Sequence, residues 1–326
     1  MSNAKWKSKL VSSSIPLEFE VAKLLASNGF AISADFTYSR NDSGIIKDFS
    51  TDINATGYLP LSDPNKMQGK LELLIECKQR YPSIKWLFFP DPNNPDFSPI
   101  TLGRTISAVD EFSLLFFPRN VTVPFDETMD FCYKGVEINE ESGQVHDSEL
   151  KHGIAQLQYA LPRLLTENIM SSLRGGVDSV PFLYCPILLT TAELFVANDT
   201  LTTEDVENST SISDFAKQVP FLVLFSEYGP DFEKHCQNEC SPLANLSRFD
   251  SARFIQNYRR NNGEYEHQLP MFLGSRYANG LPDVLISSFS QFVICTMSEF
   301  QTLVNKITEI STNAVDGLGA SANIKL

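Results

Sequence analysis

The sequence has no apolar run long enough to cross a membrane, which takes roughly 18 uncharged residues. Its first stretch, MSNAKWKSKLVSSSIP, contains three lysines but lacks the continuous apolar segment of a signal peptide. It also has no Gly-rich Walker-type loop of the kind that binds nucleoside triphosphates. If the function needs an ATP-driven motor, we therefore expect that motor to be another chain. From these absences we expect a cytoplasmic protein without membrane contact.

Disulfide bonds are not expected either. The six cysteines are scattered, and Cys77, Cys185 and Cys295 lie in apolar strand-like runs, where a reduced thiol behaves as a small hydrophobic side chain. With 326 residues, 42% of them hydrophobic, the chain can instead fill a large core. These numbers predict a folded α/β protein.

The formal net charge of −14 argues against a protein that coats nucleic acid over its whole surface. The acidic residues are unevenly distributed. Residues 1–90 contain 11 Lys and Arg against 9 Asp and Glu, whereas residues 91–326 contain 15 against 31. A polyanion would therefore meet the least repulsion at the first ninety residues.

Hydrophobic periodicity predicts a helix and then a three-strand meander in the first ninety residues. The helix runs from about Pro16 to Asn28, with proline in its first turn and Gly29 at its C-terminal stop. The strands lie in AISADFTYS, KDFSTDINATGYLPL and GKLELLIECK, which are separated by turn residues.

The remaining chain predicts more α/β structure. We expect a helix from 148 to about 173, strands in 181–198, 219–229 and 283–296, a polar helix around 247–260, and a closing helix from 297. We divide the chain into a motif-bearing core (1–90), the remainder of the core with an acidic α/β extension (91–311), and a frayed tail (312–326).

The strand KLELLIECK places charges where burial is costly. Side chains at i and i+2 share a face of a strand. One face is apolar (Leu71, Leu73, Ile75, Cys77) and the other carries Glu72, Leu74, Glu76 and Lys78.

In the preceding strand, Asp48, Ser50, Asp52 and Asn54 share a face, opposite Phe49, Thr51, Ile53 and Ala55. If the two strands pair, Asp52, Glu76 and Lys78 can converge on one side of the sheet.

Two carboxylates held close together repel each other, and in a partly dry site one protonates unless a cation neutralises the pair. Mg²⁺ suits this role because it takes oxygen ligands and keeps several waters. Lys78 is then placed to stabilise a phosphate oxygen or to orient a water.

The order of a leading helix with a Glu, then Asp52, then Glu76-Cys77-Lys78, resembles the PD-(D/E)xK nuclease superfamily, closest to its Mrr-like restriction branch. The resemblance covers roughly residues 16–90, and it has Thr51 where the family motif has proline. It implies a restriction-endonuclease-like core, a mixed sheet flanked by helices, here with a C-terminal α/β extension. It also implies Asp52, Glu76 and the Cys77 carbonyl as ligands of Mg²⁺ or Mn²⁺, and Lys78 as the catalytic base or charge stabiliser.

The leading helix offers two acids, and the preceding strand offers a rival to Asp52. Glu18 stands eleven residues before Gly29, as the Mrr-like pattern has it, and lies closer than Glu20 to the centre of the apolar helix face. Asp48 shares the face of Asp52 but lies outside the apolar run. We expect Glu18 and Asp52 to belong to the site.

Three residues after or near the strand, Gln79, Arg80 and Lys85, can contact a nucleic-acid backbone or can be ordinary surface residues. The resemblance implies a Mg²⁺-dependent nuclease acting on DNA, in restriction or anti-phage defence, as a homodimer or with a partner protein. Two alternatives stay open. One is a catalytically inactive nuclease-fold interaction module, and the other is a nuclease of RNA or branched DNA.

Overall fold

A computed structural model describes residues 4–42, 44–63, 69–93, 101–102, 106–109, 129–174, 182–244 and 289–322. The α-helices in these ranges are α1 (Ala4–Ser12), α2 (Ile15–Ser27), α3 (Ser148–Arg174), α4 (Thr203–Asn208), α5 (Pro230–Ala244) and α6 (Phe300–Ala322). The strands are β1 (Ala31–Asp42), β2 (Ile45–Leu59), β3 (Gly69–Lys78), β4 (Ile84–Pro90), β5 (Thr101–Leu102), β6 (Ile106–Val109), β7 (Phe131–Asn139), β8 (Gln144–His146), β9 (Phe182–Thr190), β10 (Glu193–Ala197), β11 (Ala216–Val219), β12 (Phe221–Phe225) and β13 (Gln291–Thr296).

The described strands form one mixed sheet flanked by helices, as the sequence predicts. Its main path is β1-β2-β3-β9-β13-β12-β7-β4-β10-β11. β1, β2 and β3 are an antiparallel meander, and β9 then runs parallel to β3. Strands from before and after residue 90 therefore share a single sheet.

Each face of the sheet has its own hydrophobic core. The α2 face packs Leu17, Val21 and Leu25 of α2, together with residues of α6, against alternate residues of β2, β3, β9 and β13. The α3 face packs α3 and α5 against the other set of alternate residues. In the described ranges, no helix combines the length and the apolar character that crossing a membrane requires.

Helix α2 confirms the predicted leading helix. Pro16 lies in its first turn, where a missing backbone N–H costs nothing, and Gly29 follows its end with a φ of +89°, which favours glycine. Leu17, Val21 and Leu25 are buried at helical spacing. Each such buried side chain contributes about 1.5–3 kcal/mol relative to exposure.

Strand β3 confirms the predicted division of its two faces. Its apolar residues Leu71, Leu73, Ile75 and Cys77 lie in the α2-face core, and Leu74 lies in the α3-face core. Glu72, Glu76 and Lys78 share the α3 face and are buried as well. β3 is therefore a strand in which every residue except Lys70 is buried, including the charged side chains Glu72, Glu76 and Lys78.

Two expectations need correction. Helix α6 continues to Ala322 instead of fraying from residue 312, because Val315 is buried against Gly69, where any Cβ would come within 2.6 Å of Val315 Cγ2. In β2, Phe49 packs against the α3-face core while Ile53 and Ala55 lie in the α2-face core. The predicted helix at 247–260 and the first part of the strand at 283–296 lie outside the described residues.

Candidate functional site

Asp52 lies where β2 separates from β3. The antiparallel pairing of these strands extends to Ile53 opposite Ile75 and stops there. One residue further, the Asp52 carboxylate turns onto the β3 backbone, and its Oδ2 accepts a hydrogen bond of 2.7 Å from the Cys77 amide. The carboxylate thus stands beside Glu76 at the end of β3.

Glu76 and Lys78 are joined on the α3 face. Lys78 Nζ lies 2.8 Å from Glu76 Oε1 and also donates to Gln156 Oε1 of α3 at 3.1 Å. Gln156 Nε2 in turn donates to the Ser50 carbonyl of β2 at 3.1 Å. Gln156 therefore ties the ammonium to both strands that carry the acids.

Gly153 lets α3 approach this part of β3. A Cβ at this position would lie 2.6 Å from Leu188 Cδ1 and 3.0 Å from Lys78 Cε. Because the Lys78 stem runs past this glycine, the close helix–sheet contact also fixes the path of the lysine side chain.

The Glu76 carboxyl is held in an environment that favours its neutral form. Only 2% of the residue is exposed, and burial followed by the charge of Asp52 raises its pKa to about 8 against the opposing effect of Lys78. Its Oε2 is buried and makes no hydrogen bond with the described residues. A buried carboxyl oxygen without a hydrogen bond costs free energy. Ionisable groups kept in such unfavourable environments occur most often at functional sites.

Other buried polar atoms around the pair are also unsatisfied. They are Tyr38 Oη on β1, and Thr51 Oγ1 and Asn54 Oδ1 on β2. The charge of Glu76 also contributes to a raised pKa of Tyr38, after burial, so this hydroxyl lies within electrostatic reach of the carboxyl. Glu76 Oε2 and Tyr38 Oη are therefore two buried polar atoms that a water or a cation would satisfy.

Glu18 on α2 lies within electrostatic reach of the same site. Burial, and then the charges of Asp52 and Asp35, raise its pKa to about 7, while Lys78 lowers it. Glu20, its neighbour on the helix, is exposed. The interaction with Asp52 favours Glu18 over Glu20, in agreement with the helical geometry.

Asp35 is an acid that the sequence pattern does not reveal. It adopts a left-handed conformation with φ of 55°, which aspartate tolerates better than most residues. The β1–β2 register passes from Ala34–Ile53 to Phe36–Thr51, which leaves Asp35 opposite Asp52. The pKa of Asp52 is raised, mainly by burial and also by Asp35, while the Cys77 amide and Lys78 oppose the shift.

The Cys77 carbonyl is directed toward Asp52. The Lys78 carbonyl accepts from the Thr191 amide, so it faces β9. Successive peptide groups of a strand point to opposite sides, so the N–H and C=O of Cys77 face β2, where the N–H already binds Asp52. The Cys77 thiol lies in the α2-face core, where burial raises its pKa, and all six cysteines are buried and outside any disulfide bond.

Asp48 lies away from this constellation. It is exposed on the part of the β1–β2 hairpin that extends beyond β3, and its Oδ1 accepts a hydrogen bond of 2.7 Å from Ser39. The position of the apolar run, which favoured Asp52 in the sequence, therefore selects the acid that contacts β3.

The residues expected to contact nucleic acid are largely engaged within the protein. Arg80 pairs with the buried Glu137 at 2.8 Å and with Glu149 at 2.7 Å, and Lys85 pairs with Glu193. The backbone N–H of Gln79 donates to the hydroxyl of Ser14 at 3.0 Å, and its side-chain Nε2 donates to the Arg80 carbonyl at 3.5 Å. Because these carboxylates neutralise the charges of Arg80 and Lys85, the two side chains are less available for the expected contacts with a nucleic-acid backbone.

The donor set fits a small site for a hard cation. Among the residues that the structure describes, no three His, Cys, Asp or Glu side chains are grouped so as to hold a metal ion. Mg²⁺, however, is commonly bound by one or two carboxylates and several waters. Asp52, Glu76 and the Cys77 carbonyl, with one unsatisfied Glu76 oxygen, provide that smaller set.

Comparisons with protein-family models, with curated proteins and with solved structures found no match for this chain.

Proposed function

We propose that this chain is a Mg²⁺-dependent nuclease that hydrolyses phosphodiester bonds, with DNA as its substrate. The observation that supports the proposal most strongly is the placement of the Asp52 carboxylate on the β3 backbone beside Glu76. Lys78 adjoins the same pair and is held by Gln156. Buried acids gathered in this way carry an electrostatic cost that a bound cation would relieve.

The order of elements supports a restriction-endonuclease-like core. The leading helix α2 is followed by the meander β1–β3 and, after β4–β8, by helix α3 and strand β9, which runs parallel to β3. α2 and α3 cover opposite faces of these strands, and the acids lie where the meander opens. We assign the core to these elements and the remaining strands to the extension.

Asp52, Glu76 and the Cys77 carbonyl would hold the ion. Bound there, Mg²⁺ would supply Lewis-acid polarisation of a phosphate oxygen. Lys78 places an ammonium where negative charge develops on the phosphoryl group. Glu18, with a pKa of about 7, is suited to accept a proton at neutral pH.

A restriction or anti-phage role follows from the Mrr-like motifs, and cutting both strands of DNA requires two such sites. A homodimer or a partner protein would provide the second one.

Cleavage of plasmid DNA tests the proposal. We expect the wild type to cut it with Mg²⁺ and not with EDTA, and we expect Lys78→Ala and Asp52→Asn to lower the rate by about 10²-fold or more. Asp48→Asn, on the same strand but outside the site, is the matched control and should cleave normally. Equal activity of Lys78→Ala and wild type would remove Lys78 from the mechanism.

A catalytically inactive interaction module is the second candidate. The contact of Lys78 Nζ with Glu76 Oε1 favours it, because the ammonium compensates the Glu76 carboxyl when it ionises and reduces the need for a metal ion. Calorimetric titration with Mn²⁺ separates the two candidates, since the module predicts no binding that depends on Asp52. A panel of single-stranded DNA, branched DNA and RNA then identifies the substrate of an active enzyme.

A further inference from the structure

Helix α1 exposes large apolar side chains. Every described residue from 5 to 13 is exposed, including Trp6 (54%), Leu10 (42%) and Val11 (50%). Close by on α2, Phe19 is 65% exposed. Several large apolar side chains on one short exposed segment are typical of an interaction surface.

The same helix is basic. Lys5, Lys7 and Lys9 lie on α1, and the sequence has no acid before Glu18. Lys7 lies over the Trp6 ring, 5.8 Å from its centroid. The surface of α1 is therefore apolar with a positive charge, and a complementary surface would be apolar and acidic.

A groove with that character lies at the other end of the sheet. It is about 680 Å³ in volume, within the range of roughly 300–1,000 Å³ that buries a small ligand, so a side chain such as Trp6 can enter it. Apolar groups from three parts of the chain line it, namely Phe89, Pro90, Tyr133, Leu201 and Val206. Tyr133 and Val206 are about half exposed.

The groove is acidic. Asp91 and Asp199 line it, and no Lys or Arg of the described ranges does so. Helix α4, which contributes Val206 to the lining, also carries the exposed Glu204 and Glu207. The groove thus complements α1 in both polarity and charge.

Helix α1 cannot reach the groove of its own chain while it stays in place. The Ser14 hydroxyl at the α1–α2 junction accepts from the Gln79 amide, which holds α1 near the end of β3. The groove is built around β4 and β10, and β9, β13, β12 and β7 separate β3 from β4. Five strand spacings are about 24 Å, whereas nine helical residues span about 14 Å.

We propose that α1 of one copy of this chain docks into the Phe89–Val206 groove of a second copy. A reciprocal exchange places two helices in two grooves and closes a dimer about a two-fold axis. A nucleic acid is a poorer partner for either surface. On α1, the exposed Leu10 and Val11 offer it no polar contact, and the acidic groove repels its phosphates. The proposal does not depend on nuclease activity.

Sedimentation analysis of the full chain between 1 and 100 μM tests the proposal. We expect a dimer that dissociates on dilution and weakens from 50 mM to 500 mM salt. Trp6→Ala, and separately the combined Lys5→Glu, Lys7→Glu and Lys9→Glu variant, should raise the dissociation constant by about tenfold or more. These positions are exposed, so folding should be unaffected.

A charge exchange gives the sharpest readout. Adding Asp199→Lys, Glu204→Lys and Glu207→Lys to the triple Glu variant should restore the dimer, since both partners change sign. Lys234→Glu, an exposed reversal on α5, is the control and should leave the dimer intact. A wild type that stays monomeric at 100 μM, an open series of larger oligomers, or a charge exchange without rescue would overturn the proposal. The proposal would also be overturned if the protein were a monomer and the triple Glu variant of α1 changed only DNA binding.

Discussion

The substitution Glu76→Gln should remove a large part of the pH dependence of folding stability. The pKa of Glu76 is raised to about 8 from 4.5, so between these values the folded protein holds a proton that the unfolded chain has released. Stability conferred by this group is therefore present at low pH and is lost as the pH rises toward 8. Between pH 5.5 and 8.5, proton linkage gives a loss of about 3 kcal/mol in the free energy of unfolding.

The substitution preserves the local geometry, because a Gln Oε1 can still accept the hydrogen bond from Lys78 Nζ. We expect the variant to lose at least about 2 kcal/mol less than the wild type over this range, in urea unfolding with EDTA present. The other titratable groups are common to both proteins, so their contributions cancel in the comparison.

Glu72→Gln is the matched control. Glu72 is on the same strand and face and is equally buried, but Lys70 and Thr56 engage its two oxygens. This variant should keep the pH dependence of the wild type. If the wild type and Glu76→Gln lose the same stability between pH 5.5 and 8.5, Glu76 is an ordinary ionised carboxylate and the electrostatic argument fails.

Three further predictions concern the groups around the site. Gln156→Leu should lower the rate of plasmid cleavage by about tenfold or more with little loss of stability, because it frees the Lys78 ammonium to move. A lower kcat with unchanged KM would show that Gln156 positions Lys78 and does not bind DNA. Glu137→Ala should cost about 3–5 kcal/mol in urea unfolding, since it removes the buried acceptor of both Arg80 Nε and Trp86 Nε1, whereas a cost below about 1 kcal/mol would contradict the importance of this carboxylate. Gly153→Ala should destabilise the fold by about 1–3 kcal/mol despite the better helix propensity of alanine, and a more stable variant in thermal unfolding would contradict the close contact described here.

The parts of this molecule that local patterns determine were predictable from sequence. The period of two in β3 separates Glu76 and Lys78 from the apolar face, and the period of 3.6 in α2 favours Glu18 over Glu20. These patterns depend on residues a few positions apart, so they require no knowledge of the sheet.

The parts that depend on distant contacts were not predictable. Gln156 contacts Lys78 only because α3 packs across the face of the sheet that carries Glu76 and Lys78. Asp35 lies opposite Asp52 only because of the β1–β2 register. Arg80 resembles a free cation in the sequence, but its partner Glu137 lies 57 residues downstream. A contact of this kind is set by the order of strands in the sheet, which the local pattern does not encode.

The claim on which the account depends is that Asp52 and Glu76 hold a cation in common. Anomalous scattering from crystals soaked with Mn²⁺ at pH 8.5, above the pKa of Glu76, tests it most directly. We expect a peak at about 2 Å from an oxygen of each carboxylate, and we expect Asp52→Asn to abolish it. Ordered carboxylates without a peak between them would contradict it.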